Sequence, residues 1–292
     1  MKSTIKVLVT GALGQLASSI KLLADQGQTK GLDLVFKTEK ELDITDFEAV
    51  EKEFKSSNYA YCVNCAGYTA VDKAETEKEI AHQVNVVGAR NLAITCKENK
   101  VTLIHISTDF IFDGFQETPY VEDDIARPIS VYGDTKYKGE QAIVNNTREY
   151  FILRTSWLYS EFGHNFMKTM IRLGNERKEL SVVFDQVGTP TYALDLAKVI
   201  VHLIETENTE YGVYHYSNEG VASWYDFAKT IFDGSNITID LKPIRSEVYP
   251  QPAQRPKFSV LDKSKIKNTF GIEIPHWKDS LQQALEAVNN LE

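Results

Sequence analysis

Tyr132 and Lys136 stand four residues apart in the run Tyr132-Gly133-Asp134-Thr135-Lys136. On a helix that spacing sets both side chains on one face, one turn apart. An ammonium so placed stabilises a phenolate, so the tyrosine pKa is expected to fall from about 10 towards working pH. Tyr132 would then serve as a general acid that protonates a ketone oxygen as hydride reaches the carbon. Upstream, the apolar run 103–106 ends in Ser107-Thr108-Asp109. A hydroxyl at the carboxyl end of a parallel strand lies where open α/β sheets place their sites. Thr108 or Ser107 is therefore read as donor to the same oxygen, completing a Ser/Thr-Tyr-Lys set. The plainer role for this pair is helix capping, and His105, inside the run, reads as a core residue.

Hydride chemistry requires a carrier, and the N-terminal segment offers a cradle for one. A β-branched run at Ile5–Thr10 enters Gly11-Ala12-Leu13-Gly14-Gln15-Leu16-Ala17 and then a helical pattern. Glycines there permit a tight turn and let the backbone approach a pyrophosphate at the positive helix N-terminus. The spacing G-x-x-G-x-x-A departs from G-x-G-x-x-G, with Ala17 where a third glycine is common. An acidic residue ending the second strand would bind a ribose 2′-hydroxyl. Here the strand 33–36 ends in Lys37-Thr38, which points to a 2′-phosphate and hence to NADPH over NADH. Asp43 lies where an adenine would be met. Asn64-Cys65-Ala66-Gly67-Tyr68-Thr69 supplies small residues where a dinucleotide crosses the sheet edge, and Lys136 is placed to hold the nicotinamide ribose.

These residues need a scaffold. Strands are predicted at Ile5–Thr10, 33–36, Tyr61–Asn64, 102–107 and 151–154, with helices at 15–24, 46–55, 80–99 and 131–145. The strands are near-continuous apolar runs, as for a sheet covered on both faces. This β-α-β-α rhythm predicts an α/β chain with a Rossmann-like doubly wound parallel sheet. Residues 1–155 are assigned to that dinucleotide-binding domain. Residues 156–292 read mainly as a smaller C-terminal substrate-binding domain, with about 185–210 returning to the Rossmann core. Within it, 194–204 reads as a core helix, and Ser223 as an N-cap with Asp226 three residues on.

Composition narrows the partners. The 292 residues are 42% hydrophobic and 25% charged, which excludes global disorder. With 32 basic and 41 acidic side chains the net charge is −9, against nonspecific binding of nucleic acid or an anionic membrane. Cys62 and Cys65 form a C-x-x-C inside a strand-like run rather than at a helix N-terminus, so core packing is read over redox or metal chemistry. No stretch reaches the roughly 20 apolar residues of a membrane span and no signal-peptide pattern is present. A reduced, soluble, cytoplasmic protein is expected.

Taken in order, these motifs resemble an extended short-chain dehydrogenase/reductase and, more narrowly, the dTDP-4-dehydrorhamnose reductase family. The carrying segments are 11–16 (GALGQL), 69–75 (TAVDKAE), 107–114 (STDFIFDG), 131–140 (VYGDTKYKGE), 154–159 (RTSWLY), 165–170 (NFMKTM), 185–191 (DQVGTPT) and Arg255-Pro256. The resemblance implies reduction of the 4-keto group of a dTDP-6-deoxyhexulose with NADPH or NADH. By motif position Thr108, Tyr132 and Lys136 match its catalytic residues. Gly11, Gly14, Gln15 and Leu16 match the pyrophosphate turn, and Asp43, Ala66, Gly67 and Thr69 further cofactor contacts. Trp157 matches a substrate-contacting tryptophan, Asp109 and Phe110 border the sugar pocket, and Arg255 is suited to a diphosphate. Phe110 stands where many relatives have tyrosine. Leu194 stands where a magnesium-binding glutamate of some dimeric members is expected, so no metal is assigned and a monomer or homodimer stays open. A dehydratase is disfavoured because Thr108 is followed by Asp109-Phe110, without a second carboxylate. The alternatives are a reductase of another nucleotide-4-ketohexose, or a non-catalytic chain like the regulatory β-subunit of methionine adenosyltransferase.

Overall fold

The computed structural model describes residues 4–290. Six strands form the main sheet: β1 (Ile5–Thr10), β2 (Leu32–Lys37), β3 (Tyr61–Asn64), β4 (Thr102–Thr108), β5 (Tyr150–Thr155) and β6 (Gly212–His215). All pair in parallel, in the order β2-β1-β3-β4-β5-β6. The helices of ten residues or more are α1 (Gln15–Asp25), α2 (Phe47–Ser56), α3 (Ala89–Asn99), α4 (Val131–Asn146), α5 (Phe166–Glu176), α6 (Ala193–Glu205), α7 (Trp224–Gly234) and α8 (Trp277–Asn289).

Strand alternation divides the apolar residues between two cores. Val7, Val9, Val63 and Ile104 join residues of α1 and α6 on one face, while Leu8, Cys62, Leu103 and Ile152 join α2 and α3 on the other. Each such side chain, fully buried, contributes roughly 1.5–3 kcal/mol. This two-faced burial is the doubly wound architecture, and it explains why the strands read as continuous apolar runs. The sixth strand had no counterpart among the expected ones. Gly212–His215 is short, and its pairing with β5 decides it.

A third core gathers Tyr159, Met167, Phe227, Phe232, Trp277 and Leu281 from α5, α7, α8 and the segment after β5. Beside it Glu179–Val183 pairs in parallel with Asp240–Ile244. Ser223 caps α7 in a capping box: its hydroxyl accepts from the Asp226 N–H at 3.1 Å, and the Asp226 carboxylate accepts from the Ser223 N–H at 3.0 Å.

The helix expected at 80–99 is interrupted. Lys78–His82 is α-helical, Gln83–Gly88 widens into a π-turn, and α3 follows. The turn brings the Asn85 carbonyl so close to α4 that a Cβ on Gly139 would lie 2.2 Å from it. Cys62 and Cys96 are buried and Cys65 lies past the end of β3. Burial pushes the Cys65 thiol of the C-x-x-C up, the opposite of a redox-activated thiol, and does the same to Cys96.

Candidate active site

The order of the strands places a switch point between β1 and β3, where the connection from β1 leaves one way and the chain then returns to the other side. Thr10 and Asn64 end β1 and β3 in register, and Asn64 pairs in turn with His105 midway along β4. The Asn64 amide spans them, accepting from the Thr10 hydroxyl at 2.7 Å and meeting His105 Nδ1 at 3.0 Å. Its oxygen also accepts from the Ala66 N–H at 3.2 Å, fixing the loop after β3. Desolvation holds His105 well below its ordinary pKa, as suits a core residue.

Gly11 sits against that loop with φ +65°, and a Cβ there would lie 2.7 Å from the Ala66 nitrogen. Only glycine fits both the conformation and the gap. The Gly14 N–H donates to the Gly11 carbonyl at 2.8 Å, and Gly14 is the N-cap of α1 without a side-chain capping bond. First-turn N–H groups of a helix have no intrahelical acceptor, so they are available to an anion. A cavity of about 360 Å³ opens over this turn, lined by Gly11, Gly14, Asp43, Ala66 and Gly67 with Leu42, Ile44 and Ile80. Its walls fit a dinucleotide: a close backbone approach, an uncapped helix start and an apolar flank.

Several expected cofactor residues lie elsewhere. Leu16 is a core side chain, so only its backbone is free to serve. The Gln15 side chain turns to the second half of the chain, where its oxygen accepts from Ser160 Oγ at 3.1 Å and Asn165 Nδ2 at 2.9 Å. Thr69 is exposed and outside the cavity lining. Lys37 is outside it too, its ammonium 3.2 Å from Glu53 of α2. In that ion pair its charge is shared with Glu53, so a 2′-phosphate would compete with the carboxylate for it. Glu39, Thr45 and Tyr68 line the cavity instead. The run after β3 contained Tyr68, but no sequence signal marked Glu39 or Thr45.

At the carboxyl end of β4, Thr108 is buried and does two things. Its hydroxyl accepts from the Phe110 N–H at 3.2 Å, capping the single 3-10 turn Asp109–Ile111, and donates to Asp109 Oδ1 at 3.1 Å. The capping role is therefore real. The same hydroxyl also neighbours the phenol of Tyr132. Ser107, on the opposite strand face, has a buried hydroxyl without a partner among the described residues. Tyr132 is the second residue of α4, whose N-cap Ser130 accepts from the Gly133 N–H at 3.2 Å. The helix seats so tightly that a Cβ on Gly133 would lie 2.2 Å from the Phe110 carbonyl oxygen. The Phe110 and Tyr132 rings meet edge to face at 5.5 Å.

The electrostatics correct the sequence expectation. The Tyr132 phenol is pushed up to about 12 by burial, with the Asp109 carboxylate adding and Thr108 opposing. Lys136 does not lower it. Its ammonium donates to the Ile106 carbonyl at 2.6 Å and is itself depressed to about 8 by burial, with Glu140 opposing. Asp109 is lifted to about 6 by burial, against Ser259 and Thr108. Lys136 also approaches the cofactor-side cavity: a Cβ on Gly67, in that cavity's wall, would be 3.9 Å from Nζ.

On the other flank Trp157 adopts φ +46°, a conformation costly for a bulky residue. Its indole stacks on Trp224 at 3.6 Å, and a Cβ on Gly188 would come within 2.8 Å of it. Trp224, Phe166, Met170, Tyr249 and Arg255 line a second cavity of about 360 Å³. Thus Arg255 borders that cavity directly, whereas Trp157 is coupled to it through Trp224. Trp224 and Tyr249 escaped sequence reading because an aromatic at a helix start or in a loop has no local signature of exposure to a ligand. Among the described residues no group of three or more His, Cys, Asp or Glu side chains could hold a metal ion, and no helix is long and apolar enough to cross a membrane.

A family model described as RmlD substrate binding domain matches residues 5–290. The dTDP-4-dehydrorhamnose reductase of Aggregatibacter actinomycetemcomitans is 41% identical over 289 residues, covering 95% of this chain and 97% of its own. A crystal structure of a dTDP-4-dehydrorhamnose reductase from Clostridium acetobutylicum is similar with TM-score 0.93 and 40% identity, over 98% of this chain and 100% of that one. The enzyme of the same name from Bacillus anthracis, solved in complex with NADP, gives TM-score 0.92 and 39% identity over 97% and 99%.

Proposed function

The chain belongs to the dTDP-4-dehydrorhamnose reductase family, and from that premise we propose that it reduces the 4-keto group of dTDP-4-dehydro-L-rhamnose to give dTDP-L-rhamnose. The observation that carries this reading is the placement of Thr108 at the end of β4 and of Tyr132, whose ring packs on Phe110 two residues from Thr108, in the first turn of α4, one helical turn from Lys136. NADPH or NADH, when bound, supplies the hydride. The glycine turn at Gly11 and Gly14, the amides at the start of α1 including Gln15 and Leu16, and Asp43, Ala66 and Gly67 would hold it.

Tyr132 works as the acid. Its raised pKa keeps the phenol protonated at neutral pH, as the reducing direction demands, since a donor must begin with its proton. As negative charge grows on the substrate's C4 oxygen, that oxygen becomes basic enough to take the proton, and the Thr108 hydroxyl turns its one proton from Asp109 Oδ1 to it. The Lys136 ammonium, anchored on the Ile106 carbonyl, would hold the nicotinamide ribose beside them. Asp109 and Phe110 shape the sugar pocket, Trp157 supports its aromatic wall through Trp224, and Arg255 meets the diphosphate. A purely regulatory chain would need no such set of hydroxyl, phenol and amine. We place the enzyme, as a monomer or homodimer, in the cytoplasm, a reading supported by its three unpaired cysteines.

The test is cofactor oxidation with the 4-keto sugar nucleotide made in situ from dTDP-glucose by a dehydratase and an epimerase. Oxidation that depends on the epimerase, with dTDP-rhamnose as product, is expected. Cofactor binding without oxidation would move the assignment to another keto-sugar nucleotide or to the regulatory reading.

A further inference from the structure

Arg255 is gripped from across the cleft. Asp72, in the short helix Val71–Ala74 beyond β3, accepts from Arg255 Nη1 at 3.0 Å through Oδ1 and from Nη2 at 2.8 Å through Oδ2. The Ala253 carbonyl accepts a further bond from Nη1 at 3.1 Å, and the Ala253 N–H donates back to Asp72 Oδ1 at 3.2 Å. A guanidinium carries five N–H bonds. These contacts use both on Nη1 and one on Nη2. The Nε–H and the second Nη2–H are left, with no hydrogen-bond partner among the described residues. They lie side by side on one edge, the fork that engages an oxyanion bidentately. Arg255 borders both the aromatic-walled cavity and an adjoining one lined by Lys257, Gln186 and Ser246.

We propose that Asp72 is a positioning residue for substrate binding: it holds the Arg255 guanidinium end-on, so that the free edge is presented to the diphosphate of the nucleotide sugar. This rests on the reading of the chain as a nucleotide-sugar reductase. The physical gain is preorganisation. A free arginine loses rotamer entropy when it clamps a ligand, whereas this one has already lost it to Asp72. The pair also joins the loop that walls the cofactor cavity to the segment that walls the substrate cavity. Asp72 sits five residues after Gly67, on the first-half side of the cleft.

The experiment measures calorimetric affinity for dTDP, thymidine and NADPH in the wild type, Asp72→Asn, Arg255→Gln and the double variant, beside steady-state kinetics. Asp72→Asn is expected to weaken dTDP about tenfold, the scale of a misaligned charged hydrogen-bond pair. Its KM for the keto sugar should rise in step, with kcat within about twofold, and thymidine and NADPH affinities should not change. Adding Asp72→Asn to Arg255→Gln should cost nothing further, and Asp72→Glu should recover part of the loss. Unchanged dTDP affinity overturns the proposal, as does an equal loss for thymidine or NADPH, which would mark a mere structural tie. Wild-type protein that binds dTDP but does not turn over the keto sugar would fail the functional reading while leaving this proposal to be decided by the dTDP series.

Discussion

The ammonium of Lys136 donates to the backbone carbonyl of Ile106 at 2.6 Å, and not to the phenol of Tyr132 one turn before it. The lysine is thus anchored to β4, the strand that carries Thr108, and the positions of amine, phenol and hydroxyl are set by one strand and one helix. Rigid elements of this kind hold reacting groups more precisely than loops do.

Because Lys136 is depressed to about 8 from an ordinary 10.5, activity and stability should respond to pH in opposite directions. Turnover, which uses the ammonium, should fall as pH rises through about 8. Between the folded value of about 8 and the unfolded 10.5 the unfolded chain holds the proton and the folded chain does not, so stability should rise with pH across that window, by about 3 kcal/mol in all. Denaturant titrations at pH 7.5 and 10 beside Lys136→Met should show this slope contribution in the wild type and its absence in the variant.

Tyr132→Phe removes the proton and almost no volume. A loss of about 10²–10⁴ in kcat is expected with cofactor affinity kept. Near-wild-type turnover would remove Tyr132 from the role of acid.

Gly133→Ala tests the seat of the helix. A methyl 2.2 Å from the Phe110 carbonyl forces α4 away from the turn that Thr108 caps, separating the two hydroxyls. Destabilisation of about 1–3 kcal/mol is expected. A fall in kcat of about a hundredfold should accompany it, with cofactor affinity changed far less. Chemical denaturation and single-turnover kinetics read the two effects separately, and an unperturbed kcat would show that the Thr108–Tyr132 spacing is not critical.

Lys37→Ala checks whether Lys37 sets the cofactor preference. With its charge already paired to Glu53, Lys37 should contribute nothing to a 2′-phosphate, so the ratio of NADPH to NADH efficiency should stay within about twofold. A selective loss with NADPH would show instead that the ion pair opens to serve the cofactor.

What could be read from the chain alone was what short-range rules encode. The glycine turn at Gly11 and Gly14, the one-turn register of Tyr132 and Lys136, the cap formed by Ser223 with Asp226 and the apolar runs of β1, β3 and β4 each depend on residues within a few positions of one another. Backbone sterics, helix periodicity and strand alternation act at that range, so those features survive any choice of tertiary partner. Partner choice itself did not survive translation from sequence. Lys37 meets Glu53, Lys136 meets Ile106, and Arg255 meets Asp72 across 183 positions. The same holds for the π-turn at Asn85, matched to Gly139 of another helix, and for β6, which exists because β5 offers it an edge. A charged group takes the partner that packing brings near, and its pKa follows the water that packing removes. Both are properties of the folded whole, which is why the candidate reacting groups could be named from the sequence while their charge states and orientations were decided only by the tertiary structure.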